Sequence, residues 1–564
     1  MKATQPPSAW TNTLYFGDNL QILRSHIADD SVDLIYLDPP FNSNATYNVL
    51  FGEHSGEKSA AQITAFDDTW HWGQESEQTY WDVVTRGPAK VAKLLSALRE
   101  CLGNTDMLAY LTMMTPRLVE LHRVLKSTGS LYLHCDPTAS HYLKMVMDAI
   151  FGPMHFQNEI VWKRTSAHNA AKRWGPIHDI ILFYTGSESF TWNRVHQEYD
   201  PKYLETFYRY KDRDGRRFRV GDLTGAGTRS GESGLPWKGC DPTAKGRHWA
   251  IPRNIPGLEN LPKSPLEALA SLDQMGRVYW PEKQGGVPGF KRYLDDMEGM
   301  LIQDMINDIA PLSAKDKERM GYPTQKPETL LERIIKASSN EGDVVLDPFC
   351  GCGTAIAVSE RLNRRWIGID ITHIAMTIMK HRLETTFPKD LAPYEVIGVP
   401  KDVASAQALA QHNRYQFEWW ALDLIEARPA QDKKKGADRG VDGEILFRDD
   451  QSGKPKRIVV QVKSGHVNAS YVRDLAGVLQ REQAAIGVLV TLNEPTKPMR
   501  QEAAAAGFYV PTDFPQQQFP RLQLLTIAEL LQGKPVQYPR YAPSVTFPQA
   551  GRRQKGTDPQ PALL

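Results

Sequence analysis

Three short stretches carry side chains whose types and spacing could do chemistry. In "LIYLDPPF" (34–41) an apolar run stops at Asp38, two prolines and an aromatic ring, Phe41. Proline has no N–H for a strand ladder, and Pro39 restricts Asp38 to extended geometry. The backbone carbonyls here are therefore presented to something outside the sheet. In "DVVLDPFCGCGT" (343–354) a run ends at Asp347, and a loop with Gly351 and Gly353 leads into a helix. Such glycines let a ligand approach the backbone closely, and the helix N-terminus favours an anionic group such as a carboxylate. Asp370 ends the next apolar run about 20 residues on, where an acid can hydrogen-bond ribose hydroxyls. A purely structural strand-to-helix turn is the competing reading of this loop. In the third stretch, Asp442 precedes one strand, while Gln461 and Lys463, two apart on another, share a face. An acid beside an oxygen ligand can hold a hard cation such as Mg2+, and a neighbouring lysine can orient or activate water for attack on a phosphodiester. An amphipathic strand with a surface lysine is the plainer alternative.

The elements that must position these residues read as α/β. Short apolar runs at 32–38, 129–136 and 178–185 are expected strands, and 107–126 carries apolar residues at helical spacing. From about 190 to 310 the chain turns rich in Gly, Pro, Trp and Arg and reads as an irregular inserted module. The α/β pattern then returns: helix 328–339, strand 344–349, helix 354–362 and strand 364–371. A linker is expected at 396–412, closing a first unit at 1–395. A smaller α/β unit spans 413–540, with a helix at 415–427 and strands at 444–447, 457–464 and 486–492. The Pro/Gln-rich end, 541–564, is expected to be disordered.

Composition sets bounds. With 564 residues the chain is expected to hold about two to four domains. A formal net charge of +1 leaves any nucleic-acid argument to local patches. No apolar run is long enough for a bilayer, and the N-terminus lacks an apolar signal core. Five scattered cysteines form no disulfide or zinc pattern. Together these point to a reducing, cytoplasmic setting. No GxxxxGK[ST] occurs, so no ATP motor is expected.

The order of motifs resembles the β-class DNA amino-methyltransferases, in which the catalytic motif precedes the cofactor motif. GDNLQIL (17–23), LDPPF, LKSTGSLYLHCD (125–136), NEIVWKR (158–164), HDIILFYT, TQKPETLLERII (324–335) and DPFCGCGT (347–354) carry the resemblance over about 13–390. It implies a Rossmann-like fold that transfers a methyl group from S-adenosylmethionine to an exocyclic amine of double-stranded DNA. Asp38 and the Pro39 carbonyl would accept the amine hydrogens, with Pro39 and Pro40 fixing the carbonyl direction and Phe41 stacking on a flipped base. Asp18, Thr324, Lys326, Asp347, Phe349, Gly351, Gly353, Thr354 and Asp370 would surround the donor. A helix N-cap is the alternative for Asp18. Asp38, rather than Ser, favours adenine N6 over cytosine N4.

The insert stands where this class carries its target-recognition region. Lys202, Arg209, Lys211, Arg213, Arg216, Arg217 and Arg219 alternate there with Tyr203, Phe207, Tyr208, Tyr210 and Phe218. A charged surface over a local aromatic core is the alternative.

Residues of about 415–530 resemble the Mrr-like restriction endonucleases. That implies an active centre of Asp442, Gln461 and Lys463, with Glu418 as a helper acid and Mg2+ held by Asp442 and Gln461. Asp438 is ranked as structural. The joint expectation is DNA modification and DNA cleavage in one polypeptide. A solitary methyltransferase whose last unit only binds DNA, and a nuclease that cuts modified DNA, are the alternatives. The assembly state stays open, a homodimer included.

Overall fold

The run before Asp38 forms the strand Val32–Leu37, whose hydrophobic residues are buried on both faces. A strand apolar on both faces belongs in the middle of a parallel sheet. It lies in a nine-stranded sheet ordered Met305–Ile306, Phe156–Lys163, His178–Thr185, Leu125–Cys135, Val32–Leu37, Val344–Asp347, Arg365–Asp370, Asn12–Phe16, Tyr394–Ile397. Only His178–Thr185 runs against its neighbours. The computed structural model describes residues 10–40, 46–50, 62–67, 71–165, 174–253, 255, 258, 260–282, 286–313, 315–322, 324–430, 440–450, 454–540 and 546.

Strand alternation sends Ile35 and Leu37 to one face of this sheet and Leu34 and Tyr36 to the other. Ile35 and Leu37 pack with Leu95, Leu111, Leu118 and Leu143 from the helices Ala89–Leu102, Asp106–Val124 and Ser140–Phe151. Leu34 and Tyr36 pack with Leu330, Leu331, Ile334 and Val358 from Glu328–Ser338 and Thr354–Arg361. Helices cover both faces, as in a doubly wound Rossmann-like fold, whose ligands bind outside the carboxyl ends of the strands.

Arg194–Gln303 forms a separate unit, narrower than the expected 190–310. It is not irregular. A four-stranded antiparallel sheet, Val278–Tyr279, Gly289–Tyr293, Arg217–Asp222 and Tyr210–Lys211, packs with the helix Pro265–Gln274 around Leu223, Trp249, Leu269 and Phe290. Its strands are too short and glycine-punctuated to show a clear period of two.

The last unit holds a five-stranded sheet, Arg428–Pro429, Gly443–Phe447, Lys456–Lys463, Ile486–Thr491 and Leu522–Thr526. The helix Arg414–Asp423 packs Phe417 and Trp420 against Val460 and Val462. The expected linker 396–412 is corrected: Tyr394–Ile397 pairs in parallel with Asn12–Phe16, and Val403–His412 is a helix. Asp402 and Ser405 cap that helix reciprocally, and Ala406 is buried against the last unit. Its Ala-rich sequence has the propensity that a reading of Pro and Lys punctuation overlooked. Of the tail 541–564 only Thr546 is described, and its hydroxyl accepts from the Leu446 N–H at 3.1 Å. Among the described residues no helix is long and apolar enough to cross a membrane.

Candidate active site

A cavity of about 260 Å³ opens at the carboxyl ends of Val32–Leu37, Val344–Asp347 and Arg365–Asp370. Of the expected residues, Asp18, Asp38, Pro40, Thr324, Lys326, Asp347, Phe349, Gly351, Thr354 and Asp370 line it together. Pro39 and Gly353 are not part of its wall. Gly353 has φ +72° and caps Thr354–Arg361, and a Cβ there would meet Met379 Cγ at 2.6 Å. Backbone shape and packing thus already require glycine there. Phe41 lies outside the described residues.

Each acid of the cavity is held in place. The Asp18 side chain accepts from the Gln21 N–H at 3.1 Å and from Arg117 Nη2 at 2.6 Å. It is both the N-cap of Asn19–His26 and a wall residue, so the two sequence readings are compatible. Asp370 Oδ1 accepts from the Thr372 N–H and hydroxyl, and Oδ2 from the Gly351 N–H at 2.9 Å. Asp347 Oδ1 accepts from the Phe349 N–H at 3.1 Å. Burial pushes both Asp347 and Asp370 above the usual carboxylate range.

Lys326 Nζ donates to Asp38 Oδ2 and, at 3.4 Å, to the Thr324 carbonyl. Thr324 has φ +59°, a left-handed conformation costly for a β-branched residue. Asp38 Oδ1 is buried and has no hydrogen-bond partner among the described residues. One oxygen is clamped by a lysine while the other is presented as an acceptor, which suits binding of an amino group.

Sequence reasoning missed Asn19, Arg117, Tyr322 and Tyr36 as wall residues. Arg117 Nε donates to Asn19 Oδ1 at 2.6 Å, and Asn19 Nδ2 donates to the Pro348 carbonyl at 2.9 Å. This chain ties three distant segments around the loop after Asp347. An arginine within the apolar helix "MLAYLTMMTPRLVEL" was the available signal, since buried arginines are almost always paired.

In the last unit Asp442, Gln461 and Lys463 are brought together. Asp442 Oδ2 accepts from the Val462 N–H at 2.8 Å and lies 3.5 Å from Lys463 Nζ. Gln461 Nε2 donates to the Gly440 carbonyl, and Gln461 Oε1 is buried with no hydrogen-bond partner among the described residues. Glu418 is buried on Arg414–Asp423. Asp438 lies outside the described residues. Among the described residues no group of three or more His, Cys, Asp or Glu side chains could hold a metal ion. The donor set is one carboxylate and one orphaned amide oxygen, both hard ligands, which fits a largely water-coordinated Mg2+.

Within the insert, Lys202, Arg209, Lys211 and Arg213 are exposed. The other three basic residues serve the unit itself. Arg216 pairs with Asp295 and Asp296, Arg217 donates to the Tyr208 and Leu204 carbonyls, and Arg219 donates to the Tyr203 hydroxyl.

A mixed α/β sheet with an acid-lined, lysine-clamped cavity at its carboxyl edge defines a ligand-binding Rossmann-like enzyme. Comparison then fixes the class. A family model described as DNA methylase (N6_N4_Mtase) matches residues 32–381, and the chain belongs to that family. It is 29% identical over 372 residues to the type II methyltransferase M.EcaI of Enterobacter cloacae, covering 65% of this chain and 69% of that one. It is 27% identical over 367 residues to the type III restriction-modification enzyme StyLTI Mod subunit of Salmonella typhimurium, covering 62% of this chain and half of that subunit. Among solved structures, the M1.HpyAVI–SAM complex aligns with 66% of this chain and 99% of its own, at 14% identity and a TM-score of 0.28. Residues 415–532 match a model described as NACHT-associated inactive restriction endonuclease 1. The last unit is thus restriction-endonuclease-like.

Proposed function

We propose that the chain transfers a methyl group from S-adenosylmethionine to the exocyclic amine of a base flipped out of double-stranded DNA, with adenine N6 the favoured target. The observation that carries this reading is the sharing of one cavity by Asp38 and the loop after Asp347. When bound, the donor supplies an electrophilic methyl on a sulfonium. Asp370 and Asp18 would hold its ribose and adenine ends, and Thr354 and Phe349 its methionine part.

The chain's own work is on the amine. Asp38 Oδ1 accepts one amine hydrogen and stabilises positive charge as it grows on nitrogen. Lys326 keeps Oδ2 occupied, so the carboxylate has one orientation. The amine nitrogen would take the methyl that the donor supplies, the donor sulfur would keep the electron pair of the broken bond, and Asp38 would receive the surplus amine proton. Exposed Lys202, Arg209, Lys211 and Arg213 suit phosphate contacts, which position DNA without specifying sequence. Incubation of DNA with methyl-labelled donor tests the reading: label should enter DNA with the wild type and not with Asp38→Ala. Label absent with both would reject it.

For the last unit we propose Mg2+-dependent DNA cleavage, supported by the meeting of Asp442, Gln461 and Lys463. Asp442 and Gln461 Oε1 would hold the ion, which polarises a phosphodiester and lowers the pKa of bound water. The description of the matching family as inactive favours a second reading, in which this unit binds DNA without cutting. Cleavage of methylated and unmethylated DNA in Mg2+, with and without Lys463→Ala, separates them.

A further inference from the structure

Across three neighbouring strands at the base of the cavity runs a buried row of Tyr36, His134 and Asp179, respectively 2%, 0% and 1% exposed. Tyr36 Oη lies 2.9 Å from His134 Nδ1, and His134 Nε2 lies 3.2 Å from Asp179 Oδ2. Trp162 meets the His134 ring edge-on at 5.8 Å, and Arg164 Nε lies 3.4 Å from Asp179 Oδ1.

The protons of this row can be placed by elimination. Burial alone would raise Asp179, but the His134 hydrogen bond, helped by the charges of Lys326 and Arg164, outweighs it, so the carboxylate stays ionised. It can only accept, so His134 Nε2 carries a hydrogen. Burial, reinforced by the Lys326 charge, holds His134 below the ordinary histidine range and hence neutral. Nδ1 is then a lone pair. Burial, with Asp38, Asp347 and Asp179 nearby, keeps the Tyr36 phenol protonated. The Tyr36 O–H therefore donates to His134, and the phenol oxygen keeps only lone pairs to offer.

Tyr36 lines the same cavity as Asp38 and Asp347. Leu346 is level with Ile35 in the parallel register, so Tyr36 and Asp347 are the next residues along their two strands. Tyr36 thus lines the cavity within electrostatic reach of both Asp38 and Asp347. A methyl on a positively charged sulfur has polarised C–H bonds and is a good partner for an oxygen lone pair.

We propose that Tyr36 is a further contact residue of the transfer site, its phenol oxygen facing the sulfonium methyl, and that His134 and Asp179 are positioning residues that hold it so. This rests on the methyl-donor reading above. A contact to the methyl favours S-adenosylmethionine over the demethylated product, S-adenosylhomocysteine, and shifts the methyl proton resonance downfield.

The test uses the full chain with donor carrying a 13C-labelled methyl, and affinities for donor and product by calorimetry. Tyr36→Phe should move the bound methyl proton resonance upfield and reduce the donor-over-product preference about fivefold, with product affinity kept within about twofold. His134→Phe should do the same in part, and His134→Asn, whose side-chain oxygen can accept the phenol hydrogen, should restore much of it. A Tyr36→Phe protein with unchanged resonance and preference would overturn the proposal. Equal loss of affinity for donor and product would also overturn it, by showing a packing role. A wild type that binds no donor would instead defeat the underlying reading.

Discussion

Lys326 Nζ and Asp38 Oδ2 form an ion pair in the wall of the cavity although 288 residues separate them in sequence. Strand Val32–Leu37 delivers the acid and the segment before helix Glu328–Ser338 delivers the lysine. Both side chains are largely buried, 17% and 7% exposed. Removing one partner of such a pair leaves an uncompensated charge, which costs about 3–5 kcal/mol in buried settings.

Lys326→Met is therefore expected to lower both unfolding stability and methyl transfer, the rate by about 100-fold, because Asp38 loses its fixed orientation. Asp38→Asn should lower the rate by a similar factor and also cost stability, since the buried Lys326 ammonium loses its counter-charge. Urea unfolding beside single-turnover transfer reads both. Wild-type stability and rate in Lys326→Met would contradict the role given to the pair.

His373 yields a pH prediction. Its ring stacks on Phe16 at 3.7 Å, and Nε2 has no hydrogen-bond partner among the described residues. Burial, then the charge of Lys380, pushes it down to about 3. A group depressed in this way contributes stability that is complete above the ordinary histidine value of 6.5 and is lost as pH falls towards about 3. His373→Phe keeps the stack and removes the titration. The wild type should lose stability relative to this variant by about 1.4 kcal/mol per pH unit below about 6.5. Urea unfolding at a series of pH values checks it, and parallel profiles for the two proteins would refute it.

Two contacts join helix His373–Thr386 to the first helix of the last unit. Gln416 Oε1 accepts from the His373 N–H at 3.4 Å, and Lys380 pairs with Asp423. The former helix begins directly after Asp370, Ile371 and Thr372, which line the cavity. Asp423→Lys is expected to weaken donor binding about threefold by pushing that helix away, and the swap Lys380→Asp with Asp423→Lys to restore it. Calorimetry reads this, and unchanged affinity in the single variant would show that the junction does not reach the donor site.

Much of the site was legible because its residues lie in short, ordered motifs: a strand, its terminal acid and a glycine loop. The central strands Val32–Leu37 and Val344–Asp347 showed themselves as apolar runs. Less legible was what depends on long-range packing. Arg117 looked like one charge in an apolar helix until Asp18 and Asn19 met it. His134 and Asp179 are in sequence only polar interruptions of strands, and their pairing across the sheet needs the strand order. Gly353 shows the ambiguity of a glycine, because one required by a positive φ looks the same in sequence as one required by a ligand.

In the last unit, Asp442→Asn and Lys463→Ala should each abolish Mg2+-dependent cutting while methyl transfer persists, as these side chains are remote in sequence from the donor motifs. Titration of nicked and linear plasmid checks this. Cutting that survives both substitutions would assign it to another site.

The most direct test of the central claim is to sequence DNA, with detection of modified bases, from cells expressing the wild type or Asp38→Ala. The account predicts a defined sequence motif carrying N6-methyladenine with the wild type and none with the variant. A wild type that leaves DNA unmodified, or a variant that modifies it equally, would contradict the account.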